Sequence, residues 1–179
     1  GPKTGMLTDF TSFEQVKEAF RIQVEYFANL MICSLNCTEK LIGDYCPHIF
    51  SSLLLDGCME HGRDCTRGGA KYNHIGIQGV GMADVADSLT VLKKLVFDEK
   101  RITREELLRA LEHNFEGDEV LRATLLNKAP KYGNDVEWVD RMGAKWVEYF
   151  KERLSHYPNY RGGRYHTGMY TVSANVTMG

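Results

Sequence analysis

The 179 residues, 43% of them hydrophobic and 26% charged, suffice for one domain with a core or for a piece of something larger. Lys and Arg number 22 against 24 Asp and Glu, a formal charge of −2, which argues against a nucleic-acid arm or a membrane-surface protein. No apolar run approaches the ~20 residues that span a bilayer, and no basic stretch followed by an apolar one opens the chain, so no secretory signal is expected.

The first helix is expected from Thr11, which has capping-box spacing to Glu14. Val16, Phe20, Val24, Phe27 and Met31 then form one apolar stripe. Pro47 interrupts, and a second helix is expected from about Phe50 to Glu60. Residues 61–83 are rich in Gly and polar residues and lack a helical period. They read as loops around one short strand near Lys71 to Ile77. Glycine at this density signals turns, positive φ or close backbone approach.

A helix returns from Met82 to Phe97, with Val85, Leu89, Leu92 and Val96 on its buried stripe. Thr103 and Glu106 repeat the capping-box spacing ahead of a helix to about His113. A short helix is expected near Asp118 to Asn127. Pro130 and Gly133 break it, and Asn134 is placed to cap a last helix carrying Val139, Met142, Trp146, Phe150 and Leu154. The tail is Gly-rich and then strand-like, Tyr170, Val172 and Ala174 alternating with Thr171, Ser173 and Asn175. The two or three strands have few partners within the chain, so an origin in a larger α/β protein is expected.

Five cysteines at 33, 37, 46, 58 and 65 are too few and too odd in number for a disulfide scaffold, and a reducing, cytoplasmic compartment is expected. Cys33 and Cys37 share a helix face, but no second close Cys or His pair completes a zinc site. Free thiols, several of them buried, are favoured, and no metal is assigned. Gly76-Ile77-Gln78-Gly79-Val80-Gly81 has its glycines in the reverse order of the dinucleotide fingerprint, which favours tight packing over phosphate binding. Cys58 stands two residues from Glu60, a spacing that points the two apart on a helix, and a structural thiol is favoured. Asp84 and Asp87 fit a helix first turn better than a carboxylate pair. His74 and His113 read as ordinary loop or surface histidines, and Trp138 and Trp146 as packing residues.

Four blocks combine into a resemblance. They are GRDCTRGGAKYN (62–73), GIQGVGMADVADSLTVLKKLVFDEK (76–100), NFEG with LLNKAPKYGND (114–135) and RGGRYHTGMYTVSANVTMG (161–179). Together with the opening GPKTG they resemble, in order and over the whole chain, the glycyl radical enzymes of the pyruvate formate-lyase-like branch. The resemblance implies an α/β fold, the helix-rich portion of a ten-stranded barrel, with residues 1–179 as a partial barrel domain. It implies a radical lyase, most closely a dehydratase of a small polyol such as glycerol or propane-1,2-diol. Other glycyl radical lyases (an arylacetate decarboxylase, a C–S or C–N lyase) and a non-catalytic binding or structural domain are the alternatives.

In such enzymes a backbone glycyl radical is installed by a separate activating enzyme that uses S-adenosylmethionine, and a cysteine relays it to the substrate. The family's Gly-Cys-x-Glu loop is expected before residue 1 and its radical motif after Gly179. Gly57-Cys58-Met59-Glu60 imitates that loop out of place, so no catalytic residue is assigned and the chain alone is expected to be inactive. Gly168-Met169-Tyr170-Thr171-Val172-Ser173-Ala174 matches the strand that faces substrate in the diol dehydratases, so Tyr170 and Val172 are expected to line the pocket. The implied partners are a small-molecule substrate, the activating enzyme and, for the full-length protein, a second copy of itself.

Overall fold

A computed structural model describes residues 1–170. In chain order, its elements are α1 (Phe13–Tyr45), α2 (Ile49–Leu54), α3 (Cys58–His61), β1 (Ile75–Gly79), α4 (Met82–Val91), a π-helical segment (Leu92–Asp98), α5 (Arg104–Glu112), α6 (Glu119–Asn127), α7 (Glu137–Ser155) and β2 (Tyr165–Met169). Two compact units divide them: Gly1–Val24 with Gly81–Val147, and Glu25–Val80 with the chain from Glu148 onward. Among the described residues no helix is long and apolar enough to cross a membrane.

Local signals placed some helix ends and missed others. Thr103 caps α5 as expected: its side chain accepts from the Glu106 N–H, and Glu106 reaches back to the Thr103 N–H. The start of α1 differs. Gln15, not Glu14, closes it, its amide oxygen accepting from the N–H groups of Thr11 (2.7 Å) and Ser12 (3.2 Å), and the helix begins at Phe13. Glu14 pairs instead with Lys17 at 2.7 Å.

The helix expected over Phe50 to Glu60 is two short ones. Gly57 between them has φ +94°, and the Lys71 N–H reaches the Asp56 carbonyl at 2.8 Å, a tertiary bond that holds the break open. Asn134 does not start α7, which begins at Glu137. The loop turns through Asp135 at φ +57°, and Asp140 accepts from the Gly133 N–H at 2.8 Å. The helix from Met82 is α only to Val91 and continues as a π-helix to Asp98.

In the first unit, Val91, Leu95, Val96, Ile102, Leu107, Ala110 and Leu121 bury against one another. Phe20 meets Trp146 edge-on at 4.8 Å, so this tryptophan does pack. In the second unit Ala28, Ile32, Ile77, Leu154 and Tyr165 form the core.

The two strands are not orphans. β1 and β2 pair in parallel, Ile75 opposite Tyr165 through Gly79 opposite Met169. The strand expected at Lys71 to Ile77 begins four residues later and ends two residues later, at Ile75–Gly79. The described part of the tail strand ends at Met169, and Val172 and Ala174 lie outside the described residues.

Glycines in the second unit let backbone meet backbone. A Cβ on Gly69 would lie 1.8 Å from the Arg63 carbonyl oxygen, and one on Gly68 would lie 2.3 Å from that of Arg161. Close approach is thus one of the roles expected of the glycine-rich segment, and positive φ is another, at Gly62 (+57°) and Gly81 (+82°).

The second unit also leaves apolar side chains bare. Leu41, Tyr45, Ile49, Phe50, Leu53 and Leu54 are all exposed. Exposed apolar side chains in this number favour association. The 179-residue chain on its own should therefore self-associate; light scattering that returned a clean monomer mass would contradict this.

Candidate functional site

The two faces of the β1–β2 ribbon differ sharply. Side chains alternate along a strand. Ile77 and Tyr165 turn one way, into the second core. His74, Gly76, Gln78, His166, Gly168 and Tyr170 follow the opposite parity, and all are exposed. Two of the six are glycines whose absent Cβ would meet no atom within 4 Å, so they leave the face open instead of serving packing. Parallel sheets are normally covered on both faces. This parallel pair therefore presents one bare, polar, glycine-lowered side, an open wall.

Tyr170 sits at the end of this wall. Its N–H donates to the Gly79 carbonyl at 3.0 Å, which extends the ladder one step beyond β2. Its side chain is 56% exposed. Val172, the other residue expected to line a pocket, lies outside the described residues.

One histidine expectation needs correcting. His74 has a partner: its Nδ1 lies 3.0 Å from Nε2 of His166, and the rings meet edge-on with centroids 4.3 Å apart. The partner is 92 residues away along the chain, so no local pattern could reveal it. His113 does remain local, its Nδ1 3.0 Å from the Arg109 carbonyl.

The other motifs are engaged structurally. Gly81 caps α4 at φ +82° and Asp84 sits in that helix's first turn. Asp87 accepts from the Tyr132 N–H at 2.7 Å and does not pair with Asp84. A Cβ on Gly79 would lie 2.7 Å from the Met169 sulfur, so this glycine is a packing residue.

Cys58 is 3% exposed, and burial, with Cys65 nearby, pushes its thiol pKa up. A protonated, enclosed sulfur is unreactive toward solvent-borne partners. Of the other cysteines, Cys33, Cys37 and Cys46 are exposed and Cys65 is half-buried, so only one thiol is buried where several were expected.

The loop after Cys58 is held by Asp64. Burial works to raise its pKa. The Thr66 and Ser52 hydroxyls and the backbone N–H groups of Thr66 and His48 overcome that and hold it at about 2. The Ser52 hydroxyl donates to it at 2.7 Å and the Thr66 N–H at 2.9 Å. Asp64→Asn should cost about 1–2 kcal/mol at neutral pH, since the cap loses its charge. Because the folded pKa lies below the ordinary value of 3.8, the carboxylate's contribution is present above pH 4 and fades as pH falls through about 2. Thermal melts should show wild type and variant converging in that window; a gap at pH 2 as large as at neutral pH would refute the assignment.

The fold has counterparts among known proteins. The structure superposes on the glycerol-bound form of the B12-independent glycerol dehydratase from Clostridium butyricum with a TM-score of 0.94 and 39% identity, over 100% of this chain and 23% of that one. It superposes equally, at TM-score 0.94 and 36% identity over 100% of this chain and 23% of that one, on hydroxyproline dehydratase from Clostridioides difficile with its substrate bound. In sequence it is 40% identical to the (2S)-3-sulfopropanediol dehydratase of Klebsiella oxytoca, over 100% of this chain and 22% of that protein. The fold is thus the helix-rich portion of a glycyl radical enzyme α/β barrel. The pyruvate formate lyase-like family matches residues 1–179, and the chain belongs to it. It spans roughly a fifth of its relatives' length, 22% of the sulfopropanediol enzyme.

Proposed function

We propose that the protein containing this chain is a glycyl radical lyase that dehydrates a small vicinal polyol, glycerol or propane-1,2-diol, and that this chain supplies one wall of the substrate pocket. The bare polar face ending at Tyr170 is the observation that carries the reading. Two of the similar proteins, the glycerol and sulfopropanediol dehydratases, are named for substrates with neighbouring hydroxyls, which supports the polyol assignment.

In this reading Tyr170 and Val172, two apart on a strand, bound the substrate without taking part in bond-making. Gly76 and Gly168 leave room for it beside them. A cysteine thiyl takes the hydrogen atom from a carbon bearing one hydroxyl. The ketyl-type radical that results gives its O–H proton to a positioned base and sheds the neighbouring hydroxyl, which leaves as water with a proton from a positioned acid. The thiol then returns its hydrogen atom and an aldehyde is released. The enclosed Cys58 is not assigned the thiyl role. A separate activating enzyme, using S-adenosylmethionine and an iron–sulfur cluster, installs the glycyl radical, and exclusion of solvent protects the radical from side reactions.

The test is anaerobic activation of the intact protein followed by electron paramagnetic resonance and assays on glycerol, propane-1,2-diol, arylacetates and isethionate. A glycyl doublet with diol turnover is expected. No doublet would defeat the radical assignment, and turnover of arylacetate or isethionate alone would move the substrate class. Tyr170→Ala should lower diol kcat/KM by about tenfold or more, as expected for a lost pocket contact.

A further inference from the structure

The His74–His166 pair stands on the same bare face as Tyr170 and takes no part in the reaction proposed for it. We infer that these two histidines form a bidentate site for a late divalent transition-metal ion.

The donor atoms are fixed by the sheet. β1 and β2 hold Gly76 opposite His166, and the Ile75 N–H donates to the Arg164 carbonyl at 3.3 Å. The His74 ring stacks on Tyr72 at 20° with centroids 6.4 Å apart, and its carbonyl accepts from Arg161 Nη2 at 3.4 Å. Nδ1 of His74 and Nε2 of His166 are therefore presented together, 3.0 Å apart. Their ring centroids are only 4.3 Å apart at an interplanar angle of 73°, so the rings do not meet head-on. An ion set off the line between the two nitrogens would take a lone pair from each ring.

Imidazole–metal bonds of about 2.0–2.1 Å spanning that gap would subtend a donor–metal–donor angle of roughly 90–95°. That is the cis angle of square-planar or octahedral coordination, which copper and nickel favour, and is narrower than the tetrahedral angle of structural zinc.

The face has room for an ion and its remaining ligands. Both histidines are exposed, and the absent Cβ atoms of Gly76 and Gly168, on the same face, meet nothing within 4 Å. Water can occupy the remaining coordination positions. Among the described residues no third His, Cys, Asp or Glu joins the pair, so the site has open positions. Without metal, one ring N–H donates to the other ring's lone pair. When the ion binds, the donating ring takes its other tautomer and carries its proton on the far ring nitrogen.

The test is calorimetric titration of Ni2+ into the intact protein with its exposed thiols alkylated. A single ion per chain is expected, with His74→Ala and His166→Gln each weakening it about tenfold or more. Either variant keeping wild-type affinity would overturn the site. A readout that needs no variant is the Cu2+ electron paramagnetic resonance spectrum of the alkylated protein. Superhyperfine splitting from two imidazole nitrogens is expected; splitting from one or none overturns the proposal.

Discussion

Gly163→Ala should cost more than about 4 kcal/mol, enough to prevent the second unit from folding. A Cβ at this position would sit 1.8 Å from the Asn73 carbonyl oxygen, which is backbone and cannot rotate aside. That carbonyl is already fixed, accepting from Asn159 Nδ2 at 2.6 Å. Asn159 in turn accepts from the Gly163 N–H at 2.9 Å and donates its own N–H to the Gly163 carbonyl at 3.0 Å. The asparagine is 5% exposed, so displacing the turn strands buried polar groups as well as creating the clash.

Gly162 is the control. It has φ +82° and open space around its absent Cβ, so Gly162→Ala meets only the left-handed backbone penalty, about 1–2 kcal/mol. Urea denaturation of the two variants should rank them widely apart. Equal costs would mean that the backbone contact is not what makes glycine necessary at 163.

The contrast shows how much a sequence can tell. Glycine density in 61–83 signalled close approach, and Gly68 and Gly69 make it, as does Gly57 just upstream. What they approach is set by residues elsewhere, and Gly68 meets a carbonyl from position 161. The α5 cap was legible because both partners lie within one turn and nothing competes. The α1 cap was not, because Glu14 and Gln15 both offer a side-chain oxygen and only packing decides between them. The π-helical run over Leu92–Asp98 keeps an ordinary apolar stripe, so no pattern announced it.

At the site, Tyr170 stood out only through a family resemblance. The ribbon's own signal was the alternation from Tyr165 to Tyr170 together with a glycine in each strand's bare face. The His74–His166 contact joins two unremarkable histidines through a parallel pairing, and a parallel pairing leaves no turn in the sequence to mark it.

Tyr165 joins this fold to its site, and Tyr165→Ala should cost about 3–5 kcal/mol. The ring is 1% exposed among Ala28, Ile32, Ile77 and Leu154, and its hydroxyl donates to Asn36 Oδ1 at 2.8 Å. Tyr165→Phe removes only that bond, a loss of about 1 kcal/mol.

The two substitutions also differ with pH. Burial raises the Tyr165 phenol's pKa, Glu39 raises it further, and Arg161 offsets part of this. The folded value therefore lies above the unfolded value near 10. The neutral phenol's contribution is complete below pH 10 and is lost as pH rises through the folded pKa, because the unfolded chain gives up its proton first. Wild type should lose stability on that limb faster than Tyr165→Phe, which has no proton to release there.

Truncation at 165 should also reach the opposite face. His166 is the next residue on β2, and its position depends on the register that the buried ring holds. Tyr165→Ala should then weaken Ni2+ binding, whereas Tyr165→Phe, which keeps the ring, should leave it unchanged. An alkaline limb as steep in Tyr165→Phe as in wild type would show that another group titrates there. Full Ni2+ affinity in a folded Tyr165→Ala would show that the two faces of the ribbon are independent.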